Sequence, residues 1–282
     1  MSFEFDGDPA AERQWSYRPS VHEQGWLEAA LTDWFDDETL EDVLFAVRGG
    51  KEANVYACRG GPAAHHALVA AKVYRPRKFR ELSNDAIYRE GRGVLDEQGH
   101  GVRARDRRMS RAIRRGTRLG KRAAHTSWVM HEMSAMQRLY DAGVRVPEPL
   151  AANPRAVLME FIGDEEGAAP TLQRLRPSLE LASRLYDQLL DAIERLLELG
   201  LVHGDLSPYN VLVWNDEAVV IDFPQIVDVM RNPHGPRLFL RDVERIGQGP
   251  SLRRPVDNPR ALADAIWCRV FGTDGVPDGA VF

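Results

Sequence analysis

Apolar residues recur along this chain in two rhythms, which predict strands first and helices after. Leu40, Val43, Leu44, Ala46 and Val47 lead into the glycine turn of RGGKEANVYAC, and VYAC and ALVAAKVY then read as two strands with a loop between. Trp128, Val129, Met133, Met136, Leu139 and Tyr140 share one face of a helix over 128–140, ended by Asp141, Ala142 and Gly143. AVLMEF (156–161) is a short apolar strand. Leu181, Leu185, Leu189, Ile193, Leu196 and Leu197 mark a second long helix closed by Gly200, and VLVW and AVVIDF flank a turn at Asn215 and Asp216. Residues 75–127 keep neither rhythm. They are rich in Arg and Gly with few large apolar side chains, and so long an ordered loop is improbable in a compact domain, so the segment is expected to be partly helical or mobile.

This order of elements predicts an α+β architecture with two lobes around a cleft. Residues 1–36 form an acidic extension that docks through Trp15, Trp26, Trp34 and Phe35. Residues 37–158 make a β-rich small lobe with one helix and a basic arm at 101–122, residues 159–163 a hinge, and residues 164–282 a helical large lobe. No run of 18 or more apolar residues appears, so a membrane span is not expected, and the acidic N-terminus lacks a secretory pattern. Two cysteines, Cys58 and Cys268, supply neither a disulfide framework nor a four-cysteine zinc site; both read as small buried side chains, and a reducing cytoplasm fits. The net charge of −5 hides an asymmetry, because residues 103–122 hold ten Arg or Lys and one acid. That disfavours a wholly basic nucleic-acid binder, yet leaves the arm as a phosphate-binding surface for RNA or a ribosomal particle, or a solvated mobile loop.

The strongest chemical signal is HGDLSPYN (203–210), with Asp222 twelve residues after Asn210 in an apolar strand. The spacing H-x-D-x-x-x-x-N is that of a kinase catalytic loop. Asp205 would orient a hydroxyl proton near the γ-phosphate of ATP, while Asn210 and Asp222 offer hard oxygen ligands to Mg2+. His203 would pack and hydrogen-bond to hold the loop. Lys72, between apolar neighbours on a strand, needs a partner, and Glu132 on the 128–140 helix is the candidate; pairing of Glu132 with Arg138 is the alternative. As a glycine-rich phosphate loop, GGKEANV is weak: aligned on Val55, only Gly50 matches. Glu160 and Ile162, after the AVLMEF strand, would offer a backbone carbonyl and N–H to the adenine edge.

Together GKEANVY (50–56), AAKVYR (70–75), the Trp128 to Met133 stretch, VPEP (146–149), MEFIG (159–163), HGDLSPYN, IDFPQIVD (221–228) and PHGPRLFLRDVERI (233–246) resemble the RIO family of atypical protein kinases. The resemblance covers roughly residues 38–246. It implies a reduced two-lobed protein-kinase-like fold without a conventional activation loop or peptide-binding subdomains. It makes Asp205 the catalytic aspartate, Asn210 and Asp222 the magnesium ligands, and Lys72 with Glu132 the phosphate-positioning pair. Gly50, Lys51, Glu52 and Val55 would border the nucleotide, and Ala70, Met159 and Leu212 would line the adenine pocket. The family autophosphorylates on serine, some members act as ATPases through a phospho-aspartate at the position of Asp222, and eukaryotic and archaeal members assist small-subunit ribosome maturation.

Departures are visible. Gly49 stands where a Ser or Thr often precedes the GKEA core, and residues 1–36 are too short for the winged-helix domain of one subgroup. Ser110, Thr117, Thr126 and Ser127 are candidate autophosphorylation sites in or beside the arm. Two other classes share parts of the pattern: small-molecule phosphotransferases of the aminoglycoside or choline type, and nucleotide-binding scaffolds without useful catalysis.

Overall fold

The computed structural model describes residues 15–50, 52–75, 86–102, 107–247, 252, 258–273 and 275–277. Helix α1 (Val21–Asp36) starts where the Glu23 carboxylate accepts from the Ser20 N–H at 3.3 Å, a carboxylate at the positive end of the helix. Its buried Leu27, Ala30, Leu31 and Trp34 face a sheet of β1 (Leu40–Gly49), β2 (Ala53–Gly60), β3 (Leu68–Tyr74), β4 (Pro149–Asn153) and β5 (Ala156–Glu160). The spatial order is β1-β2-β3-β5-β4, with every neighbour antiparallel.

Period-two alternation divides the sheet's residues. Val43, Tyr56, Cys58, Val69, Ala71, Val73, Ala156 and Leu158 cluster with α1 on the outer face, joined by the half-buried Trp15, Tyr17, Trp26 and Phe35. The expected docking by aromatics is therefore observed, and it is carried by a 16-residue helix. The inner face keeps Val55, Ala57, Ala70 and Met159 in a separate small cluster with Phe161.

The arginine-rich stretch takes the partly helical of the two expected forms. It contains α2 (Ala86–Arg89), α3 (Arg107–Arg114) and the start of α4 (Arg118–Asp141), so the helix carrying Glu132 begins ten residues before Trp128. Thr117 caps α4 by accepting the Gly120 N–H at 3.1 Å. At Gly120 the two helices approach so closely that a Cβ there would lie 2.0 Å from the Ala112 carbonyl. A glycine contact of this kind leaves no apolar periodicity to read. Burial also corrects two modification candidates. Thr126 and Ser127 lie inside α4's packed face, with Ser127 Oγ accepting the Leu95 N–H at 3.0 Å, so neither hydroxyl is open to phosphorylation in this fold. Thr117 is exposed, and the side chain of Ser110 lies outside the described residues.

After β5 come the short pair β6 (Gly163–Asp164) and β7 (Gly167–Ala168), and then α5 (Leu179–Glu198), whose apolar face is the long leucine stripe. Next are β8 (Leu201–Val202), β9 (Val211–Trp214), β10 (Glu217–Val220) and β11 (Val227–Asp228). β8 pairs with β11, and β9 pairs with β10 around a turn whose Asn215 and Asp216 have φ of 51° and 63°, the left-handed pair such a hairpin requires. Helices α6 (Gly235–Gly247) and α7 (Pro259–Phe271) complete the core with α4 and α5. Cys58 is buried as expected, but Cys268 is exposed, because it lies off the α7 face that packs Ala263, Ile266 and Trp267. Among the described residues, no helix is long and apolar enough to cross a membrane.

Candidate active site

Three elements converge on Lys72. Strand β3 turns Lys72 toward the inner side, in register with Val55 of β2 and Val157 of β5. Its Nζ donates to Glu132 Oε1 of α4 at 2.6 Å and to Asp222 Oδ1, just past β10, at 2.5 Å. Glu132 is thus Lys72's partner, and the Arg138 alternative falls: Arg138 donates instead to the Leu199 carbonyl. Tyr74, two residues along β3, gives its hydroxyl to the other oxygen of Glu132, fixing the carboxylate at both ends. Burial opposes the charge on Lys72, but the two carboxylates outweigh it and raise its pKa above the ordinary lysine value. Burial likewise works against an ionised Asp222, and the Lys72 ammonium overcomes it, so the Asp222 carboxyl is held below its usual range. Asp222 keeps 44% of its side-chain surface open while Glu132 keeps 4%, so of the two only Asp222 can still take an incoming ligand. Asp222 sits at φ 73°, a left-handed conformation that aspartate tolerates better than most residues.

The catalytic loop is held from beneath. His203 is buried, donates from Nε2 to the Ile221 carbonyl at 3.1 Å and accepts the Asp205 N–H at Nδ1 at 3.3 Å. A ring that donates at one nitrogen and accepts at the other is neutral, and burial lowers its pKa in agreement. Asn210 closes a 3-10 turn over Pro208–Asn210, donates its amide to the Asp205 carbonyl at 2.9 Å, and so leaves its amide oxygen for a cation. The Ile221 N–H donates to the Asn210 carbonyl at 3.0 Å, tying the two candidate metal ligands together through the backbone. Oxygen donors without sulfur or imidazole suit magnesium. Among the described residues no cluster of three or more His, Cys, Asp or Glu could hold an ion alone.

The other sequence-predicted residues divide. Val55, Ala70 and Met159 lie in one apolar cluster on the sheet's inner face, with Ala70 directly opposite Met159. Leu212 and Ile162 fall in a neighbouring cluster with Ile221, on the side of the hairpin that carries Asp222. Glu160 ends β5 with its N–H already given to the Glu148 carbonyl at 2.8 Å, and the Ile162 carbonyl accepts from Ala169. Gly50 donates to the Ala53 carbonyl at 2.9 Å in the β1–β2 turn, and the Glu52 carbonyl accepts the Arg75 N–H at 2.9 Å. Lys51 lies outside the described residues.

Tyr74 was missed by the sequence reading, and so were two residues that hold the catalytic loop. Asp242 of α6 is buried and accepts the N–H groups of Gly204 and Leu206, at 2.7 and 3.0 Å, on both sides of Asp205. Burial pushes its carboxyl up to about 7, with the two backbone donors pulling the other way. The signal was present: Asp242 falls on the α6 face with Leu238, Val243 and Ile246, where an acid is out of place unless it is used. Arg245, in the last turn of α6, donates to Asp205 Oδ1 at 2.6 Å, a contact that only the tertiary fold creates.

A small antiparallel sheet with one buried Lys–Glu pair, a helical lobe with an Asp–Asn loop, and a further aspartate at the end of a hairpin define the protein-kinase-like class. A family description, the RIO domain, matches residues 96–249. The chain is 33% identical over 249 residues to the RIO-type serine/threonine-protein kinase Rio1 of Haloferax volcanii, covering 88% of this chain and 75% of that protein. It is 27% identical over 236 residues to the serine/threonine-protein kinase RIO1 of Caenorhabditis elegans, covering 81% of this chain and 41% of that one. It is 31% identical over 213 residues to the human serine/threonine-protein kinase RIO3, covering 74% and 38%. The chain belongs to the RIO family, and it is an enzyme of the atypical protein kinase kind.

Proposed function

We propose that this chain transfers the γ-phosphoryl group of ATP to a serine or threonine hydroxyl, its own included, with Mg2+ held by Asn210 and Asp222. The observation that carries the reading is the meeting of Lys72, Glu132 and Asp222 within hydrogen-bonding distance, beside a loop that presents Asp205 and Asn210. Residues 37–158 act as the nucleotide-covering lobe, 159–163 as the hinge and 164–282 as the lobe bearing the catalytic loop. Val55, Ala70, Met159, Ile162 and Leu212 offer apolar surface for adenine, while Gly50, Lys51 and Glu52 border the phosphates.

When bound, magnesium neutralises phosphate charge. The protein's own residues do the rest by positioning and electrostatics. Lys72 shifts from Asp222 to the α- and β-phosphates, and Glu132 with Tyr74 keeps its ammonium in place. Asp205 accepts a hydrogen bond from the acceptor hydroxyl and orients its oxygen for attack. The new P–O bond forms as the bond to ADP breaks, and the hydroxyl proton passes to Asp205.

The test uses purified protein with γ-labelled ATP and magnesium, wild type beside Asp205→Ala and Asp222→Ala. Acid-stable label on serine or threonine, lost in both variants, is the expected result. Hydroxylamine-labile label with steady phosphate release would instead show turnover through a phospho-aspartate at Asp222. No label and no release would end the reading.

The basic hairpin of α3 and α4 is proposed as a phosphate-binding face for RNA or a ribosomal particle. Arg111, Arg114, Arg115, Arg118, Lys121 and Arg122 are all exposed along it, with Arg111 and Arg114 in the last turn of α3 and Arg118, Lys121 and Arg122 at the start of α4.

A further inference from the structure

Glu132 and Asp222 must stay in register for transfer, yet they are 90 residues apart on different elements. Their direct bridge is Lys72, which contacts both. On the reading above, Lys72 gives up Asp222 when phosphates arrive, so the register then needs another support.

A second route runs behind the site. Arg92 donates from one guanidinium nitrogen to the Pro224 carbonyl at 3.0 Å and to the Ile226 carbonyl, both in the loop just after Asp222. The next residue, Gly93, gives its carbonyl to the ring N–H of His131 at 2.8 Å, and His131 immediately precedes Glu132 on α4. Two residues further, Leu95 donates to Ser127 Oγ one helical turn earlier on the same helix. The segment is itself anchored. Buried Asn232 donates to the carbonyls of Ile87 at 2.7 Å and Glu90 at 3.1 Å, and Gly91 passes so close that a Cβ would lie 2.5 Å from the Arg231 carbonyl. The links form a closed ring: Asp222, its loop, Arg92, Gly93, His131, Glu132, Lys72 and Asp222 again.

We propose that Arg92 is a positioning residue that locks the loop after Asp222 to the helix bearing Glu132, so that residues 86–102 do from within the resting chain what protein kinases assign to a phosphorylated activation loop. In those enzymes the Lys–Glu pair and the metal aspartate must both be in place, and activation-loop phosphorylation controls this. Here the assembling cation is Arg92, and its acceptors are backbone carbonyls, so no phosphate is required. The inference rests on the kinase reading of Lys72, Glu132 and Asp222.

The test combines kinetics with amide hydrogen exchange on the full chain. Arg92→Ala should lower kcat about 10²-fold, the size of loss that misplacement by an ångström produces, while KM for ATP changes by no more than about threefold. Arg92→Lys, which can still reach one carbonyl, should recover part of the loss. Exchange should accelerate together in 222–230 and in 127–135. His131→Ala should give the same pattern, and the double variant should be no slower than Arg92→Ala alone, because both cut one ring. The proposal is overturned by wild-type kcat in Arg92→Ala, by a lysine variant no better than alanine, by exchange that rises in the loop while α4 keeps its protection, or by losses that multiply independently. If the wild type transfers no phosphate, the kinase reading falls, and the exchange pattern alone still decides whether Arg92 couples the two elements.

Discussion

The Lys72 centre and the α3–α4 hairpin treat charge in opposite ways. At Lys72 an ammonium meets two carboxylates, and a tyrosine hydroxyl holds one of them, so Lys72 and Asp222 each favour the other's ionised form. On the hairpin six exposed cations have no carboxylate partner among the described residues. Surface arginines elsewhere do: Arg184 bonds Asp216 at 3.1 Å, Arg195 bonds Asp191 at 2.8 Å, and Arg269 bonds Glu194 at 2.7 Å. Charges whose partner is built in hold geometry, and the hairpin's unpaired cations are what the proposed phosphate-binding face requires.

The largest expected effect tests the first half of that contrast. Glu132→Ala leaves Lys72 with Asp222 alone and Tyr74 without its acceptor. Losing one partner of a buried pair costs about 3–5 kcal/mol, read by denaturant unfolding, and turnover should fall at least 10²-fold. Wild-type turnover in this variant would break the comparison at its firmer end. The second half is tested by replacing Arg114, Arg115, Arg118 and Lys121 with Ala. Affinity for RNA should drop more than tenfold at low salt and its salt dependence should flatten, while KM for ATP and stability stay within about twofold and ~0.5 kcal/mol. Unchanged RNA binding would leave the hairpin a solvated surface.

Asp242→Asn asks what a buried carboxyl held by two backbone donors does. Asn offers one acceptor oxygen to two backbone donors, so the loop around Asp205 should loosen and kcat fall about tenfold. The sign of the pH effect follows from a carboxyl at about 7 in the fold against 3.8 in a free chain. The stability that Asp242 contributes is complete below about pH 4 and is lost as pH rises through 7. Melting curves from pH 4 to 8 should therefore show a downward slope in the wild type that is shallower in the variant. The smallest effect is expected for Arg245→Ala. Its pair with Asp205 is partly exposed, so stability should change by ~1 kcal/mol or less, and kcat by a few-fold, in single-turnover assays.

The difference between these regions also governs what the sequence could tell. The Asp205, Asn210 and Asp222 set is legible because its three members lie within 18 residues, in the spacing of a kinase catalytic loop. The sheet is legible through the alternation of β2, β3 and β5, which faces apolar residues both ways and places Lys72 on the inner side. The α3–α4 hairpin is not, because its contact is Gly120 against the Ala112 backbone, and backbone contacts leave no pattern of large side chains. Asp242, Arg245 and Arg92 reach the site from 20 to more than 100 residues away, and their partners are mostly backbone groups, which every residue has. Strand β4 hides in VPEPLAAN because its prolines and small residues mimic a loop.

Helix α1 has a practical consequence. Leu27, Ala30, Leu31 and Trp34 cover the outer sheet face around Tyr56 and Val69, and Glu23 accepts hydrogen bonds from the Tyr56 hydroxyl and from Asn54 beside the nucleotide turn. A fragment expressed from Leu40, where the strands start, would present that apolar face to water and leave the Tyr56 hydroxyl without its acceptor. Such a trimmed enzyme should self-associate and precipitate at the concentrations used for inhibitor screening. A fragment meant to stay dispersed must keep α1 and the aromatic residues just before it.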